Sequence, residues 1–148
     1  MEGGSPEERM TTLHERIVHM VRQLRIPLLE MSLVVSKYTR ILFSAIEVQA
    51  ERDGEAVPEI LSKPFDIPEP EVQVPSAQFD IEKLLDAVDE ERMDILDTLI
   101  RTTINDEMLS HADALMVMRS WEKDVRERLS LATAPGQLFS PLDIAEDH

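Results

Sequence analysis

The sequence contains no cysteine, four glycines, one tryptophan and one tyrosine among its 148 residues. Without cysteine the chain has no disulfide, no thiolate zinc site and no cysteine nucleophile. Because glycine and aromatic residues are scarce, leucine, isoleucine, valine and eight methionines supply the apolar volume. This composition favours helices packed on helices, and the length suits one core. We therefore expect an all-α fold.

Positive charge is also scarce. Thirty acidic residues oppose fifteen basic ones, for a net charge of −15. Residues 1–52 are neutral, with seven of each sign, whereas residues 53–78 carry six acids and one base and residues 79–132 carry fourteen and seven. A negative field repels phosphate backbones and anionic membranes. We expect no direct nucleic-acid binding and a protein partner with a basic surface.

Long hydrophobic runs are missing. The stretches "IPLLEMSLVV" and "ILFSAI" are interrupted by Glu30, Lys37 and Arg40, and they are too short to cross a bilayer. The first residues, "MEGGSPEERM", are acidic and lack the pattern of a secretory signal. We expect a soluble intracellular protein, located in the cytoplasm, that does not insert into membranes.

Catalytic signatures are missing as well. The sequence contains no nucleophile elbow and no glycine-rich phosphate loop. Ser110, His111 and Asp113 are near one another in sequence, but neighbouring side chains on a helix point in different directions. We expect a protein that is not an enzyme and needs no cofactor.

The clearest positive pattern is a heptad repeat that starts after Ser5-Pro6-Glu7-Glu8, a sequence typical of a helix start. Apolar residues recur at two positions of each heptad, as in a long helix that buries one seam against another helix. We expect self-association through the seam residues Met10, Leu13, Ile17, Met20, Leu24, Met31, Val34, Tyr38 and Ile41.

Pro27 interrupts the seam. A proline removes one helical hydrogen bond, so the helix should either kink or end near Ile26. Because the heptad phase continues across Pro27, we predict one kinked helix over residues 6–51 rather than a helical hairpin.

Four units follow from these patterns: the N-terminal helix (residues 1–52), an acidic proline-rich linker (53–78), an acidic segment of two helices (79–132) and an acidic tail (133–148). We expect the two C-terminal helices to pack on the first in a bundle or coiled-coil-like arrangement. The linker is longer than most bundle loops, so an exchange of halves between two chains is an alternative.

The tripeptide Phe-Asp-Ile occurs twice, at residues 65–67 and 79–81. In the second copy, Asp80 is predicted to cap a helix and Phe79 to pack against its first turns. The first copy precedes Pro68, so we expect extended chain there, with Phe65 and Ile67 as anchors for a partner.

On the helix that follows Asp80, acidic residues recur every fourth position, at Glu82, Asp86, Glu90 and Asp94. Like charges at this spacing destabilise a helix by about 0.2–0.5 kcal/mol per pair. They form either a solvated face or a docking face for a basic partner. We also predict that "RTTIND" interrupts the helix and that a third helix starts near Asp106 and ends near Ala132.

Two other functions are considered. Glu15 with His19, and Glu107 with His111, are each four residues apart, and carboxylates and histidines on helices bind metals in some bundles. The chain could thus be a metal-dependent enzyme. An acidic decoy that occupies a nucleic-acid-binding surface is the second alternative. The favoured function is a non-catalytic adaptor, assembly factor or structural subunit of a larger complex.

Overall fold

A computed structural model describes residues 4–67, 81–132 and 134–142 of the chain. These residues form helices and no β-strand, which confirms the predicted all-α fold. In chain order the elements are α1 (Pro6–Leu24), α2 (Leu28–Asp53), a 3-10 turn (Glu59–Leu61), α3 (Ile81–Asp86), α4 (Glu90–Asp106), α5 (His111–Ser130) and α6 (Pro135–Phe139).

Helix α1 begins as the sequence predicts. The Ser5 hydroxyl accepts a hydrogen bond from the Glu8 backbone N–H at 3.2 Å, and Pro6 occupies the first helical position. The cap satisfies one of the N–H groups that a helix start leaves without a partner.

The predicted kinked helix is wrong, because α1 ends at Leu24 and α2 starts afresh at Leu28. Arg25 adopts the left-handed conformation, with φ of 53°, and the N–H of Ile26 donates to the Val21 carbonyl at 3.0 Å. This six-to-one hydrogen bond closes a Schellman motif. Pro27 then prevents Ile26 from continuing the helix and itself precedes the first residue of α2.

The chain reverses direction at this junction. Leu28 lies beside Leu131 at the end of α5, and Val48 lies near His111 at its start, so α2 runs antiparallel to α5. The ring of His14, in the first half of α1, is 5.1 Å from the ring of Trp121, in the middle of α5. After α1 ends, Leu28 lies beside Leu131, just beyond the end of α5. Helix α1 therefore runs parallel to α5. The heptad phase continues across Pro27 because both helices bury one face in the same core.

Helix α4 also differs from the prediction. The expected single helix after Asp80 is divided into α3 and α4, and the Asp89 carboxylate caps α4 by accepting from the Arg92 N–H at 3.1 Å. The segment "RTTIND" does not interrupt α4, which continues to Asp106. Thr103 within it is fully buried and faces Arg16 of α1, so packing outweighs the weak helix propensity of threonine.

Helix α5 begins at His111 and not near Asp106. Met108 has φ of 53°, and the Leu109 N–H donates to the Ile104 carbonyl at 3.0 Å, which terminates α4 with a second Schellman motif. The Ser110 hydroxyl then accepts from the Asp113 N–H at 3.1 Å and caps α5.

The segment after α5 returns to the junction of α1 and α2. Pro135 begins α6, and the Leu142 N–H donates to the Ile26 carbonyl at 3.1 Å. The Leu28 N–H donates to the Ser140 carbonyl at 3.3 Å. The predicted cap at Asp80 and the packing of Phe79 lie outside the described residues.

The core lies between α2 and α5, and α1 and α4 pack on it. Its fully buried apolar residues come from all four of these helices and from the junction at Ile26. They are Leu13, Ile17, Val21, Ile26, Met31, Val35, Leu96, Ile100, Ala114, Leu115 and Met118. No helix in the described residues is long and apolar enough to cross a membrane.

Candidate functional site

Glu30, in the first turn of α2, is fully buried. Its two oxygens accept hydrogen bonds from Nε and Nη2 of Arg92, each at 2.6 Å, in a bidentate ion pair. The Asp89 backbone N–H adds a third hydrogen bond at 3.1 Å. Hydrogen bonding to Glu30 raises the pKa of Arg92 above its usual value. A buried carboxylate requires such compensation because its desolvation is costly.

The Glu30 ion pair fixes the start of α4 against the first turn of α2. Arg92 and Asp89 belong to the first turn of α4 and to its cap, and Glu30 lies in the first turn of α2. The negative carboxylate also lies near the positive N-terminal end of the α4 dipole. The pair therefore fixes the position of α4 and, with it, the acidic residues around its start.

An acidic surface covers α3 and the first turns of α4. Between residues 82 and 94 the exposed side chains include one base, Lys83, and six acids. Those acids are Glu82, Asp86, Asp89, Glu90, Glu91 and Asp94. Arg92, the other base in this range, binds the buried Glu30, so the exposed acids outnumber the exposed base six to one.

The four predicted docking acids do not lie on one helix. Glu82 and Asp86 belong to α3, whereas Glu90 and Asp94 belong to α4, and residues 87–89 separate the two. The regular four-residue spacing therefore does not define a continuous helical face, which corrects the sequence prediction. All four remain exposed within the acidic surface.

The predicted self-association residues are used mainly inside the chain. Leu13, Ile17, Met31, Val34 and Tyr38 are buried in its own core, and Met10, Met20 and Leu24 are half-buried. Ile41 remains 48% exposed. Since the buried members cannot reach a second chain without unfolding, a dimer seam through the whole set is not available to the folded protein.

The first part of the linker packs on α5 through its backbone. Nη2 of Arg119 donates to the Leu61 carbonyl at 3.1 Å, and Nη1 of Arg126 donates to the Phe65 carbonyl at 2.8 Å. The Arg119 guanidinium also lies 5.9 Å from the centre of the Phe43 ring, a cation–π distance. Residues 55–67 are thus bound to the helical core and do not form a free spacer.

Phe65 and Ile67, the predicted partner anchors, are both half-buried. Phe65 lines a groove between α1 and α5, together with Met10 and Met116. Part of its ring is therefore covered by its own chain, and only the remaining part is accessible to a partner.

The candidate metal ligands are not brought together. Glu15 and His19 are exposed on α1, and His111 is exposed beside the second half of α2. Glu107 lies in the turn between α4 and α5, so it does not share a helical face with His111 as predicted. In the described residues no three histidine, aspartate or glutamate side chains are close enough to bind one metal ion.

A second polar cluster joins α2 and α4 at Asp97. Its carboxylate accepts from Lys37 at 3.3 Å and from Arg101 at 3.4 Å, and its backbone carbonyl accepts from the Tyr38 hydroxyl at 3.1 Å. Burial, and then the interaction with the Asp97 side chain, raise the pKa of the Tyr38 phenol above its usual value. Along α2 from its start, Lys37 and Tyr38 are the last residues that form a described polar contact with α4.

Sequence reasoning missed the roles of Glu30, Arg92, Arg119 and Arg126. The signal for Glu30 was available, because a single charge inside "IPLLEMSLVV" indicates a buried residue that needs a partner. The sequence does not indicate which residue is that partner, because Arg92 is sixty-two positions away. The arginines of α5 bind carbonyl groups, which no sequence pattern reveals.

Comparison of the chain with protein-family models, curated proteins and solved structures gives no match.

Proposed function

We propose that this chain is a non-catalytic protein-interaction protein, such as an adaptor, an assembly factor or a subunit of a larger complex. The observation that carries the proposal is the excess of exposed acids over exposed bases on α3 and the first turns of α4. Arg92, which would neutralise part of it, binds the buried Glu30. A surface with six acids and one base attracts a partner with a basic surface and discriminates against acidic ones.

Phe65 and Ile67 belong to the same proposal as secondary contacts. Both are half-buried against the helical core, so a partner could extend the existing apolar packing around them. Their contribution is separable from that of the acidic surface, because Phe65→Ala removes apolar contact and leaves the charge unchanged.

The test is affinity purification with cross-linking from the native source, using three forms of the chain. The first is wild type, and the second carries Glu82→Gln, Asp86→Asn, Glu90→Gln and Asp94→Asn. The third is a control with the same change in charge at exposed positions elsewhere, through Glu15→Gln, Asp53→Asn, Glu55→Gln and Asp106→Asn.

We expect a specific partner to bind wild type and the control but not the variant of the acidic surface, and we expect binding to weaken with salt. Equal capture by all three forms would refute the role of the acidic surface. If nucleic acid competes with the chain for the captured partner, the decoy function replaces the adaptor function.

A further inference from the structure

The second half of α2 carries an apolar strip that no element of the described chain covers. Ile41 is 48% exposed and Val48 is 54% exposed, and Ser44 and Ala45 lie between them on the same side of the helix. The spacing of seven residues places Ile41 and Val48 one above the other, two turns apart. We define the α2 strip as Ile41, Ser44, Ala45 and Val48.

The strip is uncovered because α4 leaves α2. Up to Tyr38 the two helices are joined, with the Tyr38 hydroxyl bound to the Asp97 carbonyl. Beyond Asp97, α4 turns to α1, where Thr103 faces Arg16 at 3.5 Å. From Ile41 onward α2 packs mainly on α5 within the described residues, and Ile41 and Val48 are about half exposed.

Three charged residues flank one side of the strip, namely Arg40, Glu47 and Glu51. They are exposed, and none of them forms an ion pair within the described residues. Arg40 donates to the Ser36 carbonyl of its own helix at 3.3 Å. Glu47 and Glu51 are like charges four residues apart, a spacing that destabilises a helix unless a cation lies nearby.

We propose that the α2 strip binds the α2 strip of a second copy in antiparallel orientation. If the two helices cross beside Ser44 and Ala45, Ile41 of each copy lies opposite Val48 of the other. Arg40 of each copy then lies between Glu47 and Glu51 of the other, because in an antiparallel pair the same flank meets itself. One sequence thus supplies both the apolar contact and the opposite charges, as an interface with two-fold symmetry requires.

The antiparallel arrangement also determines which residues face each other at the two ends of the helix pair. Lys37 comes opposite Arg52 of the second copy, and Asp97, which binds Lys37 at 3.3 Å, offsets this repulsion. The paired segment from Lys37 to Arg52 would be about 24 Å long at 1.5 Å per residue. Because the apolar part spans two turns, the dimer should form reversibly and depend on concentration.

This inference goes beyond the proposed function, and disulfide cross-linking tests it directly, since the chain has no cysteine of its own. Single-cysteine variants Ile41→Cys, Ser44→Cys and Val48→Cys are oxidised alone and in pairs. The control is Ile60→Cys, at a residue 58% exposed on the 3-10 turn. A disulfide forms where the two Cα atoms approach within about 7 Å.

We expect Ser44→Cys to cross-link with itself, and Ile41→Cys to cross-link with Val48→Cys but not with itself. Self-linking of Ile41→Cys without linking to Val48→Cys would overturn the antiparallel arrangement. Absence of cross-links at all three positions, or links equal to those of Ile60→Cys, would overturn the interface.

Charge exchange provides the second test, by sedimentation equilibrium of the full chain. Arg40→Glu alone, and Glu47→Arg with Glu51→Arg, should each weaken dimerisation about ten-fold, because attraction becomes repulsion at both ends of the crossing. Mixing the two variants should restore association, since each chain then carries the charges that the other requires. Glu15→Arg, on the exposed side of α1, is the control and should leave association unchanged.

The outcomes separate this inference from the proposed function. If wild type is monomeric at all concentrations while its partner still binds the acidic surface, the dimer is refuted and the interaction function stands. If Arg40→Glu is monomeric and loses no partner, the strip serves self-association and the acidic surface serves the partner.

Discussion

The two halves of α2 have the same apolar periodicity but different surroundings. In the half from Leu28 to Thr39, α4 and α5 cover the helix, and even the carboxylate of Glu30 is fully buried. In the half from Arg40 to Asp53, α5 remains but α4 has turned away, and Ile41 and Val48 are about half exposed. Burial along α2 is therefore decided by the path of α4 and not by the apolar pattern of α2 itself.

The largest expected effect is at the Glu30 ion pair, in the covered half. Arg92→Ala leaves a fully buried carboxylate without its cation, and we expect the free energy of unfolding to fall by about 3–5 kcal/mol. Arg101→Ala, which removes an exposed ion pair with Asp97 on the same helix, should cost less than about 1 kcal/mol. Urea unfolding of both variants measures the difference.

A double replacement sharpens this prediction. Glu30→Leu with Arg92→Leu removes both charges and should destabilise the fold less than Arg92→Ala, because no buried charge is left unpaired. If Arg92→Ala costs no more than Arg101→Ala, the ion pair does not fix α4 on α2.

Matched valines compare the two halves directly. Val34 is 3% exposed in the covered half, and Val48 is 54% exposed in the other. We expect Val34→Ala to cost about 2 kcal/mol through lost burial and a small cavity. Val48→Ala should cost less than about 0.5 kcal/mol, measured below the concentration at which the chain dimerises. If both variants lose the same free energy of unfolding, Val48 is buried in the folded chain and the half of α2 from Arg40 is covered.

Tyr38 tests the boundary between the halves. Its hydroxyl donates to the Asp97 carbonyl at 3.1 Å, and Tyr38→Phe should cost about 1 kcal/mol at neutral pH. Burial, and then the hydrogen bond and charge of the Asp97 side chain, raise the pKa of the phenol above its usual value near 10.0. The folded state thus retains the proton to higher pH than the unfolded state, so this contribution is complete below about pH 10 and decreases above it.

The measurement is direct because Tyr38 is the one tyrosine of the chain. Ultraviolet absorbance of the phenolate should show titration at higher pH in the folded protein than in urea. Wild type should lose stability above pH 10 faster than Tyr38→Phe, and parallel losses would place Tyr38 in solvent.

The smallest changes in stability are expected at Arg25 and Gly54, which lie just before and just after α2. Arg25 and Gly54 both have positive φ, 53° and 69°, but only the second is a glycine. Arg25→Gly should stabilise the fold by up to about 1 kcal/mol, and Gly54→Ala should destabilise it by about 1 kcal/mol. A methyl group at Gly54 would meet no atom within 4 Å, so its cost arises from the backbone alone.

Gly136 is the control for these changes. It lies in α6 without positive φ, and a methyl group there would also meet no atom within 4 Å. Gly136→Ala should leave stability unchanged or raise it slightly, since alanine favours the helix. Thermal unfolding followed by circular dichroism compares all three, and a loss at Gly136 as large as that at Gly54 would refute the backbone argument.

Features set by a few neighbouring residues could be predicted from the sequence. The all-α fold and the start of α1 at Ser5-Pro6 both follow from local signals. Caps, turns and apolar periodicity act within one or two turns of chain, so their information is contained in short stretches. Five members of the predicted self-association seam are instead buried in the core of their own chain.

Other features depend on residues that are distant in sequence. Pro27 predicted a disturbance of the helix, but the chain reverses there, with Arg25 left-handed and the Leu142 N–H bound to the Ile26 carbonyl. The division of α3 from α4 likewise accompanies the hydrogen bond of Asp89 to Glu30, fifty-nine positions away. Contacts between residues so far apart produce no repeating pattern in the sequence from which they could be predicted.

By itself, then, the sequence determined the helical class, the absence of cysteine chemistry and the acidity of the second half. The tertiary structure decided which apolar residues are covered and which charges are neutralised. It pairs Arg92 with the buried Glu30, and it leaves Ile41 and Val48 about half exposed because α4 turns to α1. The physical reason is that burial and ion pairing depend on which helices meet in space, whereas helix formation depends mainly on neighbours along the chain.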